Sequence, residues 1–300
     1  IPLWTQLMEK ITGGDKEYIR YIQKALGYAL TGDISEQAIF ILYGTGSNGK
    51  STMLNIFAAL LNGYAQSTSS DTFMQKKNES VNNDIARLKG ARFVSAIEME
   101  EGKRMAESLI KSMTGGDKLV TRFLYGEFFE YVPQFKVFLA VNHKPDIRDT
   151  TNSIWRRIKI MEFNNTFTEQ ERDKNFPTKI MAKELQGILA WAVQGCLDWQ
   201  QNGINAPDIV EAATRAYKEE MDSFSHFFNE CCVVREGARV SNKMLRAKYD
   251  EWCAENGERG LTQRPFSRKL RERGYDTRNS SPTGTAEWHG FTLRGEATRL

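Results

Sequence analysis

The chain has 300 residues, 40% of them hydrophobic and 26% charged, with a formal net charge of +3 at pH 7. That is the composition of a folded domain or two, and no apolar run approaches the roughly 18 residues that a membrane span needs. The four cysteines and three histidines form no C-x-x-C pair and no spacing suited to zinc, which argues against structural zinc and for a reducing compartment.

Ile1 stands where Met would begin a chain, and no charged-then-apolar leader follows, so the sequence reads as a piece of a longer polypeptide. Pro2 to Leu30 reads as two helices, a small collar, with Thr12-Gly13-Gly14-Asp15 supplying a stop and then an N-cap before Lys16 to Gly27. Ala38 to Tyr43 is a short apolar run rich in β-branched and aromatic residues, as in a buried parallel strand. A glycine-rich turn and a helix over Lys50 to Leu61 follow. Further strands are expected at Arg92 to Ile97, Lys136 to Val141 and Arg157 to Phe163, with a hairpin over Leu119 to Tyr131 around Tyr125-Gly126. Strands alternating with helices around such a turn predict an α/β core, a parallel sheet flanked by helices. Thr178 to Gln200 reads as one helix and Asp208 to Cys232 as another, with a break at Asn202 to Pro207. Beyond Glu236 come helices over Asn242 to Glu255 and Gln263 to Arg273, a turn at Asn279 to Gly284 and a strand from Trp288 to Leu293, the outline of a winged helix-turn-helix.

The segment Gly44-Thr45-Gly46-Ser47-Asn48-Gly49-Lys50-Ser51 fits G-x-x-x-x-G-K-[ST] between a strand and a helix, the context this phosphate loop requires. Its glycines let backbone N–H groups converge on phosphate oxygens, and the following helix, with Thr52 in its first turn, aims its positive end at them. Lys50 reaches the terminal phosphates and the Ser51 hydroxyl ligates magnesium, so ATP and Mg2+ are the expected cofactors. Hydrolysis also needs a carboxylate at a neighbouring strand end, where Glu98 stands with Glu100 and Glu101 close behind. The acidic role is open among the three. Asn142 follows the third strand, where it either holds the attacking water or caps the turn before Pro145. Arg156 and Arg157 read either as salt-bridged surface residues or as an arginine finger reaching the next subunit's nucleotide.

The charge is unevenly spread. Residues 235–300 hold 14 Lys or Arg against 9 Asp or Glu, and Arg259 to Arg278 alone has seven basic and two acidic residues. Arg264, Arg268, Lys269 and Arg271 fall on or beside a helix preceded by a turn, suited to nucleic-acid phosphates or groove entry, while Trp252, Phe266 and Leu270 read as its core.

Taken together, Gly44 to Ser51, the Glu98 strand, Lys111-x-x-x-Gly115-Gly116-Asp117 with Arg122, Phe135 to Pro145 around Asn142, and Trp155-Arg156-Arg157 resemble the ordered motifs of superfamily-three helicases, in the primase-helicase group of phages, plasmids and poxviruses. The resemblance spans about residues 16–165 and 225–293, where Tyr249-x-x-Trp252-Cys253 and Phe266-x-x-x-Leu270 resemble the group's winged-helix module. It implies an AAA+ ATPase working as a homo-hexameric ring on single-stranded and forked DNA, translocating 3′ to 5′. A fused or associated primase or polymerase domain upstream, no membrane association and a cytoplasmic location, that of the bacterial host for a phage or plasmid protein, go with it. It further implies that Leu119 to Tyr131 is a channel hairpin carrying Lys118, Arg122 and Tyr125 to DNA, that Arg157 is the better finger candidate, and that Glu98 is the Walker B acid, as metal ligand, catalytic base or both. The expected domains are a collar at 1–32, the ATPase core at 33–205, a helical connector at 206–234 and the winged helix at 235–300. Other ATP-driven tasks, packaging DNA or remodelling proteins, fit the same loop, as does a DNA-binding regulator that only senses nucleotide. Glu98, Asn142 and Arg157 speak against the regulator, since sensing requires neither a water-positioning amide nor a finger.

Overall fold

The structure, a computed structural model, describes residues 1–76, 83–149, 151–258, 260–279 and 286–295. The chain divides into two compact units, Ile1–Lys218 and Glu219–Leu300.

The first unit opens with α1 (Pro2–Thr12) and α2 (Lys16–Ala29). Gly13, at φ 67°, closes α1 in the left-handed conformation that glycine adopts freely, and the Asp15 carboxylate accepts the Tyr18 N–H at 3.0 Å to start α2. Next come β1 (Ile39–Tyr43), α3 (Lys50–Leu61), β2 (Ala65–Thr68), α4 (Asn83–Ala86), β3 (Phe93–Ile97) and α5 (Glu107–Gly115). The hairpin β4 (Leu119–Thr121) and β5 (Phe129–Tyr131) leads into β6 (Lys136–Val141), followed by α6 (Asn152–Trp155), β7 (Ile158–Glu162), α7 (Phe176–Lys183), α8 (Leu185–Asn202) and α9 (Asp208–Glu220).

Five strands form a parallel sheet in the order β2-β3-β6-β1-β7. All of β6 and four of the five residues of β1 are buried, so both faces need helical cover. Phe138 stacks on Phe40 at 4.7 Å between ring centres and meets Phe93 at 4.9 Å. On the outer side of β7, the Ile160 N–H donates to the Thr214 hydroxyl of α9 at 3.2 Å, which satisfies an edge group that would otherwise be open.

The expected helix at Thr178 to Gln200 is two, broken at Glu184. The Glu184 carboxylate accepts the N–H groups of Leu3 (3.0 Å) and Trp4 (2.9 Å), two of the donors that the start of α1 leaves unpaired. The strand β2, short and polar at the sheet edge, and the second unit's strands β8 and β9 were not expected from the sequence either.

The expected helix at Asp208 to Cys232 also breaks, and α10 (Ser223–Cys231) begins the second unit with Asp222 as its N-cap. There follow β8 (Cys232–Ser241), α11 (Asn242–Glu255), α12 (Gln263–Glu272), β9 (Thr277–Asn279) and β10 (Ala286–Leu293). The strands pair antiparallel in the order β8-β10-β9. Their core is aromatic: Phe224, Phe227, Tyr249, Trp252, Phe266, Trp288 and Phe291 are buried together with Leu270. Beyond Asn279, the expected turn to Gly284 lies outside the described residues. No helix among the described residues is long and apolar enough to cross a membrane.

The tightest helix contact joins α2 to α8 through two glycines. A Cβ on Gly27 would lie 2.2 Å from the Cys196 nitrogen, and one on Gly195 would lie 2.1 Å from the Gln23 carbonyl oxygen, backbone atoms that cannot rotate away. Gly27→Ala should therefore destabilise the chain by about 2 to 4 kcal/mol despite alanine's better helix propensity. Gly63→Ala, with nothing within 4 Å of the added carbon, should leave the urea midpoint nearly unmoved; equal midpoints for the two variants would contradict the packing argument.

Candidate functional site

Parallel pairing puts the C-terminal ends of β1, β6 and β3 along one edge, with β6 between the other two. The phosphate loop leaves β1 there. Ser47, Gly46 and Gly49 all take positive φ, 51°, 114° and 79°, as a loop that turns its N–H groups inward requires. Gly44 admits no side chain, since a Cβ would stand 2.1 Å from the Asn48 amide nitrogen and 2.5 Å from the Phe163 carbonyl. Asn48, itself buried, donates to that carbonyl at 3.0 Å and so ties the loop to the end of β7. Thr45 and Ser51 are exposed, Thr52 is half-buried, and α3 has no acidic residue in its first turn to oppose an anion.

Lys50 is buried at the centre. Its ammonium donates to the Gly44 carbonyl (2.6 Å), the Asn48 side-chain oxygen (2.9 Å) and the Asn142 side-chain oxygen (3.2 Å). Burial pushes its pKa down from 10.5 to about 8. Asn142, at the end of β6, is thus brought to the loop. Glu98 ends β3 on the same edge, exposed and at φ 66°, a conformation uncommon outside glycine. Its N–H donates to the Ala140 carbonyl (3.2 Å) and its own carbonyl accepts from Ser70 (2.6 Å). Of its acidic neighbours, Glu100 pairs with Lys103 at 3.0 Å and Glu101 faces His143 at 3.9 Å. No group of three or more His, Cys, Asp or Glu able to cage a metal occurs among the described residues. A magnesium ion held by a hydroxyl, one carboxylate and phosphate oxygens needs no such cage.

A cavity of about 730 Å³ adjoins the loop at Ser47, Gly49 and Thr52. Leu7 and Lys10 of α1 line it together with Phe167 and Phe176. Here lie residues that sequence reasoning missed. The Phe167 N–H donates to the Ser47 carbonyl at 2.7 Å, Arg172 bonds the Ser47 hydroxyl, and Lys10 pairs with Glu171 at 2.6 Å. These partners lie more than 100 residues apart in sequence, so no local signal marks them.

Arg156 and Arg157 stand at the other edge, before the start of β7, which runs in register with β1 from Ile39↔Ile158 to Tyr43↔Glu162. Neither is near its own phosphate loop. The preference for Arg157 as a reaching finger does not fit its surroundings. Arg157 is buried, donating to the Thr114 hydroxyl (3.0 Å) and the Ser153 carbonyl (2.6 Å). Burial and the adjacent Arg156 lower its pKa, while Asp117 opposes them. Arg156 is the exposed one of the pair, steadied by the Gln37 side chain at 2.6 Å.

Comparison with known proteins gives two family matches, "Family of unknown function (DUF5906)" over residues 42–157 and "Poxvirus D5 protein-like" over residues 219–281. Similar proteins include "Putative helicase L207/L206" of Acanthamoeba polyphaga mimivirus, 26% identical over 81% of this chain, and "Putative helicase 022R" of Frog virus 3 (isolate Goorha), 28% identical over 82%. The aligned region is 27% of each relative's length. Among solved structures, the C-terminal region of NrS-1 (305–718) superposes with a TM-score of 0.63 at 12% identity, over 97% of this chain and 76% of that one. These matches support the resemblance to the superfamily-three helicases of the primase-helicase group.

The hairpin is present, with β4 and β5 antiparallel. Tyr125 is at its tip, 97% exposed and at φ 62°, flanked by exposed Phe123, Leu124 and Phe128. Arg122 lies over the Phe128 ring at 4.7 Å, and Lys118 pairs across the hairpin with Glu130 at 3.2 Å. In the second unit, Arg264, Arg268 and Arg271 are exposed on one face of α12, spaced i, i+4, i+7. Lys269 is different and its expected DNA role needs correction. It faces inward with Phe266 and Leu270, and its ammonium pairs with Asp222 at 2.6 Å. Burial works against the Asp222 charge, but bonds from Lys269 and Ser225 outweigh it and hold the carboxyl below its usual range.

The two arginines make contrasting predictions. Arg157→Ala strands the hydroxyl and carbonyl it now satisfies and should cost about 2 to 4 kcal/mol. Arg156→Ala should stay within about 0.5 kcal/mol of the parent. Urea denaturation checks both, and a neutral Arg157→Ala would contradict the buried role.

Proposed function

We propose that the chain is the motor of an ATP-dependent DNA helicase of the AAA+ type. The observation that carries this reading is the Lys50 cluster, in which the phosphate-loop lysine bonds Asn142 of the adjacent strand while Glu98 ends the next strand along the same edge. ATP would sit on Gly44 to Thr52, its nucleoside in the 730 Å³ cavity. Ser51 and Glu98 would hold magnesium, which supplies neutralisation of charge on the terminal phosphates.

The roles of the chain's own groups follow from their positions. Lys50 exchanges three neutral oxygens for phosphate oxygens, regaining a charge partner in a buried place. The Asn142 amide, released from Lys50, orients the attacking water. Glu98 lies beside it to polarise that water. Arg156 reaches the terminal phosphates held by a neighbouring copy, which fits its exposure and its place at the opposite edge. Such an assembly is a homo-hexameric ring by family resemblance, moving 3′ to 5′ on single-stranded DNA and linked upstream to a primase or polymerase domain. Tyr125, with Lys118 and Arg122 behind it, contacts the DNA strand. The second unit, a winged helix on this reading, offers Arg264, Arg268 and Arg271 to duplex phosphates.

Lys50→Ala should abolish both ATP hydrolysis and strand displacement on a forked duplex. Unwinding that survives without hydrolysis would sink the proposal.

The depressed Lys50 pKa adds a pH signature. A bound triphosphate favours the charged ammonium and raises its pKa, so above about pH 8 binding must take up a proton. ATP affinity should fall as pH rises through that region. Calorimetry in buffers of different ionisation enthalpy reads the uptake directly, and its absence would contradict a lysine-centred site.

A further inference from the structure

A second cavity of the first unit, about 260 Å³, lies where β7 begins, between that strand and α9. Four cations line it, Arg156, Lys159, Arg215 and Lys218, against one acid, Glu211. Glu211, Thr214, Arg215 and Lys218 follow i, i+3, i+4, i+7 and so share one face of α9, the face whose Thr214 hydroxyl is bonded to β7. Lys159, Arg215 and Lys218 make no ion pair among the described residues, and Arg156 is held by a neutral amide. This concentration of positive charge in a concave place is unbalanced by the protein itself. Burial lowers the pKa of Lys159, with Glu211 and Glu36 only partly opposing it, so an anion beside it would relieve a cost already present.

We propose that this cavity is an anion site for the terminal phosphates of a nucleotide held on the phosphate loop of a second copy, with Lys159, Arg215 and Lys218 acting beside Arg156. The inference rests on the reading of Arg156 as a residue that acts between copies. The chain's own nucleotide site is excluded by topology. β1 and β7 are parallel and in register, so the cavity and the phosphate loop sit at opposite ends of a five-residue strand, roughly 17 Å apart along it. Arg156 supplies the planar fork suited to phosphate oxygens. Arg215 and Lys218, one helical turn apart, supply the surrounding field and fix the approach of the neighbouring loop. They are positioning residues.

The test uses the whole chain carrying Arg215→Ala/Lys218→Ala, at concentrations where copies associate. A fluorescent ATP analogue should bind its intact phosphate loop within about twofold of the parent, while hydrolysis falls by about tenfold to a hundredfold. Mixing with Lys50→Ala copies should restore part of the turnover, since each such copy offers an intact cavity to a neighbour's working loop. The charge-keeping pair Arg215→Lys/Lys218→Arg should recover most of it. Unchanged hydrolysis overturns the proposal, as does a loss that mixing does not rescue, or a loss of DNA affinity with DNA-free hydrolysis intact.

A parent chain that hydrolyses no ATP would sink the helicase reading instead. The cavity is then read by itself with pyrophosphate as the probe. Binding to the Lys50→Ala chain that disappears on adding Arg215→Ala/Lys218→Ala supports the anion site, and identical binding by the two chains overturns it.

Discussion

Parallel pairing of β1 with β6 on one side and β7 on the other is the constraint on which the rest depends. It sorts every chemically committed residue of the first unit to one of two edges. Strands ending at the C-terminal edge deliver the phosphate loop, Asn142 and Glu98. The N-terminal edge receives the hairpin that leads into β6, the arginine pair before β7 and the cations of α9. Reversing β7 alone would carry Arg156 to the side of the phosphate loop and give a site that a single chain could close.

The buried Arg157 links elements of the N-terminal edge. Its guanidinium meets Thr114 in the last turn of α5, where the helix dipole favours a cation, and Ser153 in α6. Asp117, whose charge acts on the same guanidinium, lies two residues before β4. One side chain therefore connects the root of the hairpin to the turn that carries Arg156. On the proposed reading the neighbour's nucleotide is felt at Arg156 and DNA at Tyr125, so Arg157 is a mechanical tie between them even though it touches neither. Its burial, which argues against a finger, is what suits it to that task.

Much of this was legible in the sequence for a local reason. Strands buried on both faces appear as short apolar runs, and a phosphate loop needs glycines at fixed spacing, so β1, β6, Gly44 to Ser51 and α3 can be read without knowing what they pack against. The breaks at Glu184 and Asp222 could not be read that way. Each interrupts a helical pattern because its carboxylate is used elsewhere, Glu184 on the N-terminus of α1 and Asp222 on Ser225 and Lys269. β2 lacked a signal because an edge strand has little apolar surface to bury, and β8 because its middle, Glu236 and its neighbours, is exposed. Arg156 and Arg157 are equivalent in sequence, and only the direction in which the chain enters β7 decides which of them is buried.

The same division recurs on α12, where a run of basic residues reads as one ligand-binding feature but folds into two. Helical spacing turns Arg264, Arg268 and Arg271 outward, while Lys269 falls in with Phe266 and Leu270, and Arg273, exposed and just past the helix, follows the same stripe. Lys269 is occupied by Asp222, and Arg273 lies 4.7 Å over the Phe228 ring with a bond to Ser225 at 2.5 Å. Charge counted along the sequence therefore overstates what a partner can meet. Among the described residues, Arg264 and Arg271 in the second unit and Lys159, Arg215 and Lys218 around the cavity of the first are left without an ion pair, while Arg268 faces Glu272 at 3.8 Å.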